Sequence, residues 1–187
     1  MQRFMVHLHN DSYGPKDAST LLERARSLAQ YGGTVVRDTR VSKKYLEFDL
    51  SVPDDTAVNK VLKKLEEISP VVSFEHVVEH RMKKDEAIAR AIEMFNDEKY
   101  WSAHEALEGV WKSAAGRERD TLNGIILVAA AFVHDEKDEP EICMSILRRA
   151  LRKLDESSGT YHGIDLDRFA AKVTNIITSG KIERFAI

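Results

Sequence analysis

Two hydrophobic periodicities divide this chain. Before Arg81, Phe4, Val6 and Leu8 alternate with Met5, His7 and His9, and Leu46, Phe48 and Leu50 alternate with Tyr45, Glu47 and Asp49. Residues two apart share one face of a strand, so both runs predict strands. After Arg81 the apolar residues return every third or fourth position, the spacing of an amphipathic helix. The chain therefore predicts an α+β fold in which a sheet-forming part precedes an all-helical part, with domains at 1–81 and 82–187.

The first part reads as six elements. Asn10–Pro15 is a turn cluster after the first strand. Lys16–Tyr31 predicts a helix with Ala18, Leu21, Leu22, Ala25 and Leu28 on its apolar face, ended by Gly32 and Gly33. Thr34–Arg40 and Tyr45–Leu50 are strands. Asp54 or Asp55 caps a helix carrying Val58, Val61, Leu62, Leu65 and Ile68, and Pro70 separates it from a last strand, Val71–Glu79. The order β-α-β-β-α-β is that of a ferredoxin-like sandwich. Its two helices cover one sheet face. The other carries His7, His9, Tyr45, Glu47 and Asp49, with either His76 and His80 or Glu75 and Glu79 from the last strand, and is expected to be solvated or paired in a dimer.

The second part predicts about five helices. Glu86–Asn96 carries Ile88, Ala91, Ile92 and Phe95. After the turn Asn96–Glu98 comes Tyr100–Trp111, a helix that Gly116 is expected to end. Arg119–Asp135 is apolar nearly all round, which predicts the middle of the bundle. Pro140 sits in the first turn of the next helix, and Asp165–Thr178 forms the last one, closed by Gly180. Ser157–Gly163 reads as a loop, and the tail KIERFAI as a segment able to dock on the bundle.

The helix Tyr100–Trp111 draws attention because of what it carries. Trp101, His104, Glu105, Glu108 and Trp111 fall on one side, and Ala103, Ala106, Leu107 and Val110 on the other. Only Ser102 and Gly109 are left as a strip for water, so the helix is expected to be enclosed with its ionisable groups partly desolvated. Such groups require partners or a metal. In one reading His104 and Glu108, four apart, join His134 from the apolar helix as ligands of a divalent metal, with Glu105 as the catalytic general base of a hydrolase. This relative of HExxH lacks the second histidine. In the other reading Glu105 and Glu108 accept hydrogen bonds from His104 and an indole, and the cluster fixes helix packing.

Composition narrows the function classes. Hydrophobic content of 43% and charged content of 32% are those of a globular protein. Residues 1–81 hold 12 basic and 12 acidic side chains and the remainder 16 and 19, so neither part is a basic nucleic-acid module. The sheet residues Glu47 and Asp49 would repel phosphate, which argues against RNA, and the basic set Arg148, Arg149, Arg152 and Lys153 reads first as a solvated helix face. The single cysteine, Cys143, excludes an internal disulfide and fits a reducing cytoplasm. The opening MQRFMVHLHND is too short and polar for a signal peptide, and the longest apolar run, Ile125–Val133, is too short to span a bilayer.

Phe95, Asn96, Tyr100, Trp101, the run HEALEGVW and the run LNGIILVAAAFVH together resemble the family called domain of unknown function 309. The resemblance covers roughly Glu86–Ile177. It implies a compact helical bundle in which His104, Glu105, Glu108, Trp111, Asn123, Gly124 and His134 occupy characteristic positions, and it implies no reaction. Leu127 departs from the pattern, which has glutamine there. The expectation that results is a binding or assembly module with a cluster of Trp101, His104, Glu105, Glu108, Trp111, Asn123 and His134, forming a homodimer or taking a protein or small-molecule partner. The metal-dependent hydrolase is the alternative.

Overall fold

The computed structural model describes residues 1–78 and 82–187, so the expected boundary at Arg81, with Glu79 and His80, lies outside the described residues. The chain forms two compact units, Met1–His80 with Glu136–Asp138, and Arg81–Asp135 with Glu139–Ile187.

The first unit runs β1 (Gln2–His9), a 3-10 turn at Pro15–Asp17, α1 (Ala18–Leu28), β2 (Val35–Val41), β3 (Tyr45–Val52), α2 (Asp55–Leu65) and β4 (Val71–His76). The strands form one antiparallel sheet in the order β2-β3-β1-β4. The turn after β1 is held by Asn10, whose side chain accepts from Tyr13 N at 2.9 Å and donates to Ser42 O at 2.6 Å. Asp54 caps α2, accepting from Ala57 N at 2.9 Å and satisfying one of the amides a helix start leaves unpaired. Phe4, Val6, Leu8, Leu46, Phe48 and Leu50 pack against Leu21, Ala25, Val58, Val61 and Leu65 as one buried core. Each fully buried side chain of this size contributes roughly 1.5–3 kcal/mol.

The other sheet face differs from expectation. His7, Glu47 and Asp49 are buried, whereas His9 is exposed at the strand end and pairs with Asp11 at 2.8 Å. Pairing makes that burial tolerable. A row of directly opposed residues crosses all four strands: Arg40 on β2 faces Glu47 on β3, Glu47 faces His7 on β1, and His7 faces Ser73 on β4. Arg40 Nη1 donates to Glu47 Oε1, His7 Nε2 lies 2.9 Å from Glu47 Oε2, and His7 Nδ1 lies 3.3 Å from Ser73 Oγ. Asp49 accepts from Arg3 at 2.9 and 2.6 Å. Charges matched in this way tolerate burial that isolated ones would not. The register also places Glu75, not His76, on this face, while His76 stacks on Phe4 with centroids 4.8 Å apart.

The second unit contains α3 (Lys84–Asn96), α4 (Tyr100–Trp111), α5 (Gly116–Asp135), α6 (Pro140–Leu154) and α7 (Leu166–Ser179). Two corrections apply. Gly116 stands at the start of α5 instead of ending α4, and the segment expected to be a loop runs into a two-stranded ribbon, β5 (Thr160–Tyr161) and β6 (Ile164–Asp165). Asp165 then caps α7 by accepting from Arg168 N at 2.9 Å, and Gly180 ends it with φ of 70°, a left-handed conformation that glycine adopts without strain. At Gly124 the α5 backbone lies so close to α6 that an added Cβ would stand 2.6 Å from Leu154 Cγ.

The tail after Gly180 docks on this bundle. Phe185 meets the rings of Phe95, Phe132 and Phe169 at centroid distances of 6.1, 5.5 and 5.6 Å. Arg184 Nε donates to Asp135 at 2.7 Å, and Lys172 Nζ donates to Ala186 O at 2.8 Å.

Candidate functional site

α4 contains the whole stretch Tyr100–Trp111 and stops short of Gly116, and its inner and outer sides are not those expected. Tyr100, Ala103, Leu107 and Val110 are buried in the helical core. Ser102, which the periodicity assigns to water, is buried as well. The polar side turns outward. The His104, Glu105 and Glu108 side chains are 24%, 46% and 41% exposed. The aliphatic side is the one that gains from leaving water, and it wins because solvated carboxylates lose nothing by staying out.

The polar groups are neighbours without forming a tight cluster. His104 Nδ1 lies 3.3 Å from Glu105 Oε1, and His104 Nε2 lies 3.7 Å from Glu108 Oε1. Both contacts are longer than good hydrogen bonds, and at this exposure such pairs contribute little. Trp101 and Trp111 are half-buried at the two ends of the set. Trp111 does not donate to Glu108: its buried Nε1 has no hydrogen-bond partner among the described residues, and the Arg119 guanidinium stacks over its ring at 4.2 Å.

Asn123 and His134 lie on α5, both half-buried. His134 Nδ1 is 2.5 Å from Glu139 Oε2, so its imidazole closes the turn into α6. His104, Glu108 and His134 do not converge. Among the described residues, no group of three or more His, Cys, Asp or Glu side chains is arranged to hold a metal ion. Glu105, expected as a general base, has His104 beside it and no set of three ligands to serve.

The remaining candidates are quickly placed. Cys143 is fully buried, and burial, reinforced by the Asp135 charge, pushes its thiol up to about 12, which leaves it unreactive as a nucleophile. Arg148, Arg149 and Arg152 are exposed along α6, and Lys153 pairs with Asp120 at 2.9 Å. No described helix is long and apolar enough to cross a membrane.

Nothing local in the sequence points to Arg40 and Ser73, yet they complete the buried row on the sheet. Glu47 at its centre feels burial, which would raise its pKa, but the Arg40 charge and the His7 hydrogen bond outweigh this and lower it to about 2. Only the strand register could have revealed this set, because its bonded members are separated by seven to 66 positions.

Comparison with known proteins agrees with the motif. No curated protein matches the chain. A conserved hypothetical protein of Thermus thermophilus, known as a crystal structure, is 27% identical over 48% of this chain and 94% of its own, with a TM-score of 0.43. Residues 88–146, which hold α4 and α5, match the family described as "Domain of unknown function (DUF309)", the family that the HEALEGVW and LNGIILVAAAFVH runs resemble.

Proposed function

We propose that this chain is a non-catalytic assembly module that pairs with a second copy of itself through the β4 edge. The observation that carries the reading is the exposure of Val72 and Phe74 on β4 and of Val78 just beyond it, at 53%, 46% and 42%, on a strand that is an edge of the sheet among the described residues. Val71–His76 contains no lysine, arginine or proline, the residues that usually guard an edge against pairing. Both edge pairings shift register once, but the opposite edge strand, β2, places the charges of Arg37 and Asp38 side by side, whereas β4 carries only Glu75. The contrast favours β4 meeting β4, a two-fold arrangement that closes at two copies.

We read the first unit as a ferredoxin-like sandwich, from its β-α-β-β-α-β order and its sheet order. The outward side of α4, with His104, Glu105 and Glu108 between two tryptophans, is left for a further protein or small-molecule partner. Light scattering during size exclusion tests the self-pairing. The full chain should elute as a dimer whose fraction rises with concentration, and Phe74→Asp should be monomeric with unchanged helical content. A wild-type monomer at every concentration would overturn the reading, as would a dimer that Phe74→Asp leaves intact.

A further inference from the structure

We propose that the groove among α3, α5 and α7 is a docking site for extended peptide segments in which an arginine is followed by a phenylalanine, and that residues 181–187 are its resident, displaceable ligand. The groove reads such a segment at two places. Arg184 Nε donates to Asp135 at 2.7 Å, and Glu98 lies 4.0 Å from the same guanidinium. The two acids are 17% and 15% exposed, and a charge-assisted bond to a shielded carboxylate selects a basic side chain. One residue on, Phe185 enters a pocket walled by Phe95 from α3, Phe132 from α5 and Phe169 from α7. Arginine and aromatic anchors are the side chains that carry most of the energy at recognition surfaces. The next two residues are hydrogen-bonded through their backbone alone: Lys172 Nζ donates to Ala186 O, and the Asn96 amide engages both Ile187 N and Ile187 O. These bonds fix the register of a segment whatever side chains it carries there.

Two observations separate the segment from the bundle that holds it. The pocket walls support one another: the Tyr100 ring lies 5.0 Å from both Phe95 and Phe132, and those two lie 5.9 Å apart, so the pocket keeps its shape without Phe185. The segment itself has no regular secondary structure, none of its seven residues is fully buried, and it joins α7 through the left-handed Gly180. Segments with so little burial open at the low end of a protein's local free energies. An incoming peptide of the same chemistry therefore meets a formed site and competes with a tethered ligand, whose tether gives it a roughly millimolar effective concentration.

The groove residues all belong to the helical unit, so the outcome of this test is separate from that of the β4 pairing. The probe is the synthetic peptide KIERFAI with a fluorophore at its N-terminus, and the control is the same peptide with alanine in place of its phenylalanine. Fluorescence anisotropy follows each against the full chain, as wild type and as Phe185→Ala. In the variant the chain's own tail no longer fills the pocket, so the competent fraction rises and the probe should bind at least about tenfold more tightly than it binds the wild type. The control peptide should bind the variant about tenfold more weakly than the probe does, and Asp135→Asn added to Phe185→Ala should weaken the probe by a similar factor. Circular dichroism checks that Phe185→Ala keeps its helices; if it does not, Arg184→Ala, which frees the other anchor of the tail, takes its place with the same expected order of affinities. The proposal is overturned if the probe binds neither chain, if it binds both equally, if the alanine peptide matches it, or if Asp135→Asn leaves its affinity unchanged.

Discussion

The side-chain amide of Asn96 holds the backbone of Ile187 at both of its polar groups: Oδ1 accepts from Ile187 N at 2.7 Å, and Nδ2 donates to Ile187 O at 2.9 Å. Asn96 ends α3, so the amide ties the tail to the start of the bundle 91 positions earlier. Phe185 sits two residues before that clamp, among the aromatic rings. Asn96→Ala should therefore raise amide exchange in residues 182–187 and cost about 1 kcal/mol, since both bonds are solvent-exposed. Phe185→Ala, which empties an aromatic site, should cost more, about 2–3 kcal/mol. Hydrogen exchange and urea unfolding measure both, and equal protection of the tail in Asn96→Ala would contradict the assignment.

Glu47 makes the first unit acid-sensitive. Its pKa is about 2 when folded, against an ordinary 4.5. The unfolded chain takes up the proton first as pH falls, so the stabilisation is present above about pH 4.5 and lost as pH falls towards 2. That difference corresponds to roughly 3 kcal/mol. Glu47→Gln should be less stable than the wild type by about this amount at pH 6, with the gap narrowing on acidification. Denaturant unfolding of the two proteins at several pH values tests it, and a gap independent of pH would refute it.

Gly124 is required by a close approach. A Cβ there would lie 2.6 and 2.7 Å from Leu154 Cγ and Cδ2, and 3.4 Å from Ala150 O. Gly124→Ala should destabilise the helical unit by about 1–3 kcal/mol. Combined with Leu154→Ala, which makes room, it should cost less than the sum of the two single changes, as a double-mutant cycle would report.

The polar set on α4 should behave as a surface. His104→Ala and Glu108→Gln are each expected to change unfolding free energy by less than about 0.5 kcal/mol. Chemical denaturation of each variant measures it, and a loss above about 2 kcal/mol in either would mean that the group is enclosed after all.

Much of the architecture is legible in the sequence because local rules act locally. The strand alternation around Val6 and Phe48, the Asp54 cap and the Gly180 stop all follow from neighbouring residues. The outward turn of α4 is not legible in this way. Its two sides, one of tryptophan with ionisable groups and one of alanine, leucine and valine, both contain apolar atoms, and periodicity does not say which faces the core. The sheet's second face misleads for a similar reason. Glu47 and Asp49 alternate with apolar residues as solvated positions do, and only Arg40 and Arg3, which other strands bring alongside, make their burial tolerable.

The row Arg40–Glu47–His7–Ser73 takes one residue from every strand of the sheet. Sliding β2 or β3 by a single position would swing Arg40 or Glu47 to the opposite side and leave its charged partner stranded in a dry interior. Mis-threaded versions of this sheet are thereby penalised through one shared chain of contacts, so the unit discriminates among strand alignments even where their apolar burial is similar.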